Sequence, residues 1–562
     1  MAKKTTSTTP NITMQLLTVR DVASKGYDAF QVIGREQVLV NEAGAITPTG
    51  PLGFNLDAHV GEIYRNKPVI DLAGVVAHID SGTAVKLPTN IITYTFLEKS
   101  HLIGLYNNPQ VGFTAGDQVS PFSAAQRGEA RQSIQFWDDL IAPTFVEQKG
   151  LGADIQFANS YDPAQAYAFY PDSHGYKFQS DVFIADPRAN STNNWLGFGG
   201  YGATTLIHEI GHTIGLSHPG AYNYDPNLVL TYANYAEYAQ DSTQYTIMSY
   251  WDEQETGGRT RDWLTLQNNN PQSPLLHDIL TVQAKYGADL TTRADDTVYG
   301  FNSNANRDIF DFSANKFPFL AIYDAGGKDT IDLSGFNASN FLDLHAGSFS
   351  SVGQAIPTLA EITAARIELS AILGFTLATR SQAFVDNLAN NAINYSKASI
   401  FADTGVAGIA ATQYQNLAIA YGTHIENGIG GSARDLIWGN ELANRLEGRG
   451  GNDVLDGYEG ADTLIGGAGA DTFKFHNIEK GDHIVDFSHN EGDKIDLTGF
   501  KNLDGSTVHF TFIGSSDFAH HAGELRYAGG QLQADFNGDG VADFAIFLDN
   551  SAPIVVSDLI IG

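Results

Sequence analysis

Between positions 208 and 218 the chain reads His-Glu-Ile-Gly-His-Thr-Ile-Gly-Leu-Ser-His. His208 and His212 are four residues apart, so on a helix they share a face and both imidazoles reach one metal ion. Gly215 lets the helix stop and the chain turn, which brings His218 round as a third ligand. Three protein ligands leave one coordination position open, as hydrolysis requires, and the ligand type suits zinc. Glu209 stands next to the first ligand, where its carboxylate can take a proton from water at that metal. Five fixed residues in eleven arise by chance on the order of once in ten million start positions, so scattered structural histidines explain the pattern poorly. Downstream lies Tyr245-Thr-Ile-Met-Ser-Tyr-Trp251. Met248, apolar and polarizable, suits a place beneath a metal site. Tyr250 can donate a hydrogen bond to a developing oxyanion or ligate the metal.

A second chemistry is written in a repeat. Five nonads run without a gap from Gly430 to Lys474: GGSARDLIW, GNELANRLE, GRGGNDVLD, GYEGADTLI and GGAGADTFK. Gly430, Gly439, Gly448, Gly457 and Gly466 share the first position, and Asp435, Asn444, Asp453, Asp462 and Asp471 the sixth. Ile437, Leu446, Leu455, Leu464 and Phe473 share the eighth. Glycine permits the tight turn, the carboxylate is a hard oxygen ligand for calcium, and the single apolar residue points inward. One such turn buries nothing alone, so the turns must stack. A flexible linker does not keep three positions in register over five periods. A later loop, Asp535-Phe-Asn-Gly-Asp-Gly-Val-Ala-Asp543, reads equally as an oxygen-ligand loop and as a polar turn between two strands.

These groups need elements to hold them. Ser123 with Gln126 three residues on is a capping box, and Ala130, Ile134, Trp137 and Ile141 follow at helical spacing. Gln165 to Tyr170 alternates as a strand and suits a sheet edge that an extended peptide could join. Thr358 and Glu361 make another capping box, with Leu359, Ile362, Ala365, Leu369 and Ile372 behind it and Gly374 as a stop. Phe384, Leu388 and Ala392 predict a second helix. Residues 1–55 are polar and weakly periodic, and read as a leader or propeptide.

Composition sets outer limits. With 64 acidic and 32 basic residues the net charge is -32, which argues against nucleic acid and suits hard cations. The absence of cysteine rules out disulfides, Cys-zinc sites and thiol catalysis. No run of about 18 apolar residues predicts a membrane span. The first residues have no apolar core of a secretory signal, so export needs another address. The nonads alone fit a non-catalytic calcium-dependent adhesin or surface-layer protein as well as an enzyme; the histidine set favours the enzyme.

Taken together, HEIGHTIGLSHPG, the SYW after a Met turn and the nonads resemble the serralysin family of the metzincin clan. Pro219 directly after the third histidine is the family's variant. ADIQF at 153–157, QAYAF at 165–169, PLLHDI at 274–279, DAGGKDTIDLSGF at 324–336 and HIENGIGG at 424–431 agree with it. The resemblance implies an α+β metzincin-like catalytic domain at 56–290, followed at 291–562 by an all-β parallel β-roll that folds on calcium. It implies a zinc endopeptidase of broad specificity made as a zymogen. Its partners are protein substrates, a type I (ABC transporter) secretion apparatus and a proteinaceous inhibitor, and the protein is an extracellular monomer. His208, His212 and His218 match the zinc ligands, Glu209 the general base, and Tyr250 a ligand that swings away to stabilise the transition state. Arg293, Thr297, Asp324, Gly326 and Asp329 match calcium positions at the domain junction, and Glu426 one at the start of the roll. Within the roll, Gly431, Asp435, Gly448, Gly451, Asp453, Gly457, Gly460, Asp462, Gly466, Gly469 and Asp471 match calcium positions. The terminal Val-Val-Ser-Asp-Leu-Ile-Ile-Gly562 resembles an uncleaved export motif. Asp295, Ala433 and Asn444 depart from the family's pattern, and 354–413 reads as a helical insertion without a counterpart.

Overall fold

The computed structural model describes residues 55–98, 119–150, 152–161, 165–171, 180–223, 228–476, 480–501 and 508–561. Residues 1–54, on which the expected leader falls, and Gly562 lie outside the described residues. The molecule is mostly β, with many parallel strands and few helices.

The N-terminal part is a five-stranded sheet backed by helices. Its strands are β1 (Ile91–Phe96), β2 (Thr144–Glu147), β3 (Ile155–Ser160), β4 (Ala166–Ala168) and β5 (Val182–Ala185), in the order β2-β1-β3-β5-β4. All pairs are parallel except β4 with β5, so the predicted edge strand is at the edge. Both faces of β3 and β5 are buried, which explains the unbroken apolar run of β5; β3 also buries Gln156, Asn159 and Ser160. The helices of this part are α1 (Leu72–Ile79), α2 (Ala124–Asp138), α3 (Tyr201–Thr213) and α4 (Leu276–Tyr286). The capping box of Ser123 and Gln126 starts α2 as predicted. Ala130, Ile134 and Trp137 are buried on one of its faces, whereas Ile141 lies past its end, bridged to Ala288. The Trp137 indole donates to the Ile207 carbonyl at 3.1 Å and so ties α2 to α3.

From Asn427 to Lys474 the chain alternates between two sheets, with parallel pairing within each. Strands Asn427–Ile429, Arg445–Glu447 and Thr463–Ile465 lie in one; Leu436–Asn440, Val454–Tyr458 and Thr472–Lys474 lie in the other. Each nonad is half a turn, and every strand pairs with the strand two nonads away. Ile437, Leu446, Leu455, Leu464 and Phe473 are all completely buried, as the eighth position of the repeat requires. The loop at 535–543 joins two antiparallel strands, Gln531–Asp535 and Phe544–Leu548. Its carboxylates are engaged by the loop's own amides: Asp535 accepts from Gly538 and Gly540, and Asp543 from Phe536. Leu559–Ile560 closes the second sheet as a strand beside Ile495 and Asp496.

The stretch 354–413 forms α5 (Leu359–Leu373) and α6 (Gln382–Thr404). The Thr358–Glu361 box starts α5 and the left-handed Gly374 ends it, as predicted. One detail is corrected: Ile372 is 38% exposed, and Arg366 and Leu373 occupy the buried face instead. Arg366 can do so because its guanidinium donates to the carbonyls of Thr265 and Ala378. The ends of the stretch meet, the Thr412 hydroxyl donating to the Gln354 carbonyl at 2.9 Å. The pair packs on both parts of the molecule. Ile362, Val385 and Leu388 cover Trp263 and Phe317; Leu369 and Leu373 cover Trp195; Ile400 lies against Phe341, Leu436 and Val454 of the second sheet.

Candidate metal centre

Helix α3 is buried nearly all round, which its Leu206, Ile207 and Ile210 demand. It stops at Gly215, whose φ of +90° favours glycine and where a Cβ would lie 2.1 Å from the Thr83 carbonyl oxygen. The turn returns His218 toward the helix. The ligand atoms of His208, His212 and His218 lie within 4.8 Å of one another. The Nε2 atoms of His208 and His218 are 3.3 Å apart.

Each ring is oriented from behind by a main-chain carbonyl. Nδ1 of His208 donates to Ile247 at 2.8 Å, that of His212 to Leu216 at 2.8 Å, and that of His218 to Tyr222 at 3.0 Å. Nδ1–H is thereby fixed, and the Nε2 lone pair of each ring faces the others, which is the tautomer a metal takes. Burial keeps the rings neutral: it pulls His208 down to about 4 and His218 to about 3, and lowers His212 strongly. Three neutral imidazoles at this separation fit a zinc ion.

Glu209 is buried beside them, and its Oε2 has no hydrogen-bond partner. Burial raises its carboxyl to about 8. Met248 is completely buried under α3, where a Cβ on Gly211 would lie 2.7 Å from its sulfur. A glycine between the two helical histidines therefore admits Met248 beneath them. The Tyr250 ring lies 4.4 Å from that of His218, centre to centre. Glu209, His208 and Tyr250 line one open cleft of about 920 Å³, along with Gln165 and Ala166 at the start of β4.

Several residues that build the centre had no role in the sequence reading. Asp278 of α4 accepts from Thr246 at 2.5 Å and from the Ile247 amide at 2.7 Å, holding the carbonyl that orients His208. Tyr222 orients His218, and Asp241 accepts from Tyr222, Ser249 and Trp251. Asp278 lay within PLLHDI, and Asp241 precedes SYW, but neither spacing announces a partner.

The second candidate site lies in the stacked turns. The main-chain amide of Asp435 donates to Asp453, Asn444 to Asp462, and Asp453 to Asp471, each at 2.8 Å. The members of each pair are two nonads apart. The ladder runs on to Asp482 and Asp493, which accept from Asp462 and Asp471. Sequence reasoning missed both, because the step lengthens from 18 residues to 20 and 22 beyond Lys474. Oδ2 of Asp453 and of Asp471 is buried without a partner, and burial raises these carboxyls to about 8 and about 6. Gly448 and Gly466 make the room: a Cβ there would lie 2.5 and 2.4 Å from those oxygens. Gly430, Gly439 and Gly457 are similarly close to Asp435, Asn444 and Asp462. Gly431, Gly451, Gly460 and Gly469 lie in the same turns, each with a main-chain oxygen where its Cβ would be. Asn444 differs, since its side chain is engaged at both ends by Asn440 and the Glu426 carbonyl.

At the junction, Asp329 accepts from the Thr297 amide at 2.8 Å, and its own amide donates to Glu426 at 2.7 Å. Asp324 accepts from Tyr299 and the Gly326 amide, and Arg293 donates to the same Tyr299. The six junction residues are thus in one place, and Oδ2 of Asp329 is buried without a partner. Buried, partnerless carboxylate oxygens suit a hard cation.

The model of the Peptidase M10 serralysin C-terminal family matches residues 288–374 and 381–561. Metalloprotease AprA of Pseudomonas entomophila (strain L48) is 33% identical over 558 residues, covering 94% of this chain and 99% of its own. Metallopeptidase AprA of Pseudomonas marginalis is 32% identical over 560 residues, covering 96% and 98%. Serralysin of Proteus mirabilis is 42% identical over 249 residues, covering 41% and 49%. A histidine metal site and relatives along the whole chain define a metalloprotease. The chain belongs to the serralysin family. The family match leaves out 375–380, between α5 and α6.

Proposed function

We propose that this protein is a secreted zinc endopeptidase of broad specificity, whose C-terminal half folds on calcium and carries the export signal. The observation that carries the reading is the convergence of three neutral imidazoles, each oriented by a carbonyl, beside the buried carboxyl of Glu209, whose Oε2 has no hydrogen-bond partner. His208, His212 and His218 would hold zinc, which when bound supplies a Lewis acid and activates water at neutral pH.

The chain's own groups do the rest. Glu209 takes the proton of the attacking water and returns it to the leaving amine. Tyr250 donates to the oxyanion. The free edge of β4 pairs with an extended substrate backbone, and backbone pairing reads few side chains, so specificity is broad. Residues 56–290 form the catalytic domain and 291–562 the calcium-dependent one. Arg293, Thr297, Asp324, Gly326, Asp329 and Glu426 serve a junction site, and the Asp435–Asp453 and Asp453–Asp471 pairs serve sites in the turns. A leader removed before about Asn55 keeps the enzyme inactive inside the cell, and a type I transporter reads the C-terminus. Among the described residues no helix is long and apolar enough to cross a membrane.

The test is hydrolysis of casein with and without a zinc chelator, beside Glu209→Ala. The chelated enzyme and the variant are expected to be inactive; equal cleavage by all samples would remove the assignment.

A further inference from the structure

We propose that Asp241 is a positioning residue that fixes both Tyr250 and His218 through one buried carboxylate; this rests on the reading of those two groups as parts of the zinc site. Asp241 has no measurable exposure. Its Oδ1 accepts from the Tyr222 hydroxyl at 2.8 Å and from the Ser249 hydroxyl at 2.7 Å, and its Oδ2 from the Trp251 indole at 3.1 Å. All three donors are neutral. A carboxylate so deeply buried among neutral donors is a costly way to fill space, but it makes hydrogen bonds that are shorter and stronger than those of an amide.

The partners decide what those bonds achieve. Ser249 and Trp251 are the residues on either side of Tyr250. The Ser249 oxygen also accepts from the Trp251 amide at 3.1 Å, and the Trp251 carbonyl accepts from the Thr243 amide at 2.7 Å. The backbone of Tyr250 is therefore clamped on both sides, with its ring against those of His218 and Tyr222 at 4.4 and 5.1 Å. The third donor leads to the metal ligand. Tyr222 accepts the Nδ1–H of His218 on its carbonyl, and its ring is stacked on that of His218 at 9° and 5.5 Å. One carboxylate thus fixes where the third ligand points and where the tyrosine starts from.

The two arms can be tested apart in the full chain loaded with zinc and calcium. Zinc affinity is read by chelator competition, kcat and KM on a fluorogenic peptide, and folding by thermal midpoint. Outer partners of a metal site typically contribute about 10–100-fold in affinity or activity. Asp241→Asn presents an amide N–H to one of three donors, so kcat should fall about 10–100-fold while KM changes less than about twofold. In a Tyr250→Phe background the same substitution should cost less than about threefold, because the group it positions is gone. Tyr222→Phe should weaken zinc binding about 10–100-fold. A folded, zinc-loaded Asp241→Asn enzyme with wild-type kcat overturns the proposal, as do losses that simply multiply in the double variant. Unchanged zinc affinity in Tyr222→Phe overturns the His218 arm. If Asp241→Asn does not fold, Ser249→Ala makes the same test: a kcat loss that vanishes beside Tyr250→Phe supports the clamp, and no loss overturns it. Failure of the underlying site reading looks different, since Glu209→Ala and the chelated enzyme would then still cleave.

Discussion

Glu209 has one carboxylate oxygen buried without a partner, and its carboxyl is raised to about 8 by burial alone. A carboxyl oxygen without a hydrogen-bond partner, beside the three imidazoles, is placed to exchange a proton with something that enters the cleft. Glu209→Gln should therefore keep the three histidines and their metal but lose about 10²–10⁴-fold in kcat, as measured by peptide hydrolysis alongside metal analysis. Tyr250→Phe makes a second, separable prediction. It removes one donor and leaves the imidazoles intact, so zinc content should be unchanged while kcat drops about 10²–10³-fold. Wild-type turnover in that variant would show that the ring beside His218 only packs.

At the scale of the element, the stacked turns are sensitive to single atoms. Asn444 spends its amide on Asn440 and Glu426, whereas Asp453 and Asp471 each keep a buried oxygen unpaired. The turn of Asn444 and Asp462 should be the weakest cation site. Asn444→Asp should raise the calcium affinity of that turn, read as an additional tight step in calcium titration. No change in the titration would assign the turn a purely hydrogen-bonded role. The helix pair offers a pH test away from the metals. Asp403 of α6 accepts from Tyr414 at 2.7 Å, yet burial raises its carboxyl to about 6. A carboxyl raised in the fold costs nothing below its unfolded value and costs progressively more as pH climbs from about 4 through 6. Asp403→Asn keeps an acceptor for Tyr414 and removes that cost. Its thermal midpoint should exceed the wild type's at pH 8, and the two should converge toward pH 4.

At the scale of the whole molecule, α5 and α6 join what the chain order separates. Ile362 is completely buried against Trp263 and Phe317, residues that precede it by more than a strand of sequence, and α6 reaches across to the second parallel sheet. Ile362→Ala should cost about 2–5 kcal/mol, measured by denaturant unfolding of the calcium-loaded protein. A loss below about 1 kcal/mol would mean that the pair is only loosely docked. Leu369 and Leu373 pack on Trp195 and Tyr201, and Tyr201 lines the cleft that holds Glu209, so this helix pair buttresses one wall of that cleft.

What could be read from the chain alone was whatever local spacing controls. Two histidines four apart define one helix face, a nonad defines half a turn, and a Thr-x-x-Glu box defines where a helix begins; none of these needs a distant partner. The eighth-position residues were legible for the same reason, since a single apolar residue per turn has only the interior to occupy. Tertiary structure decided the rest. Asp241, Tyr222 and Asp278 lie in different segments and act by meeting the loop around Met248, and no pattern within a segment encodes such a meeting. Asp482 and Asp493 continue the carboxylate ladder in space after its period has broken in sequence, because strand pairing tolerates a longer loop where a repeat search does not. Arg366 took a buried place that periodicity reserved for an apolar side chain, since the carbonyls of Thr265 and Ala378 were there to receive it. Local chemistry is carried by neighbours along the chain, whereas orientation is carried by neighbours across it, and only folding brings the second kind together.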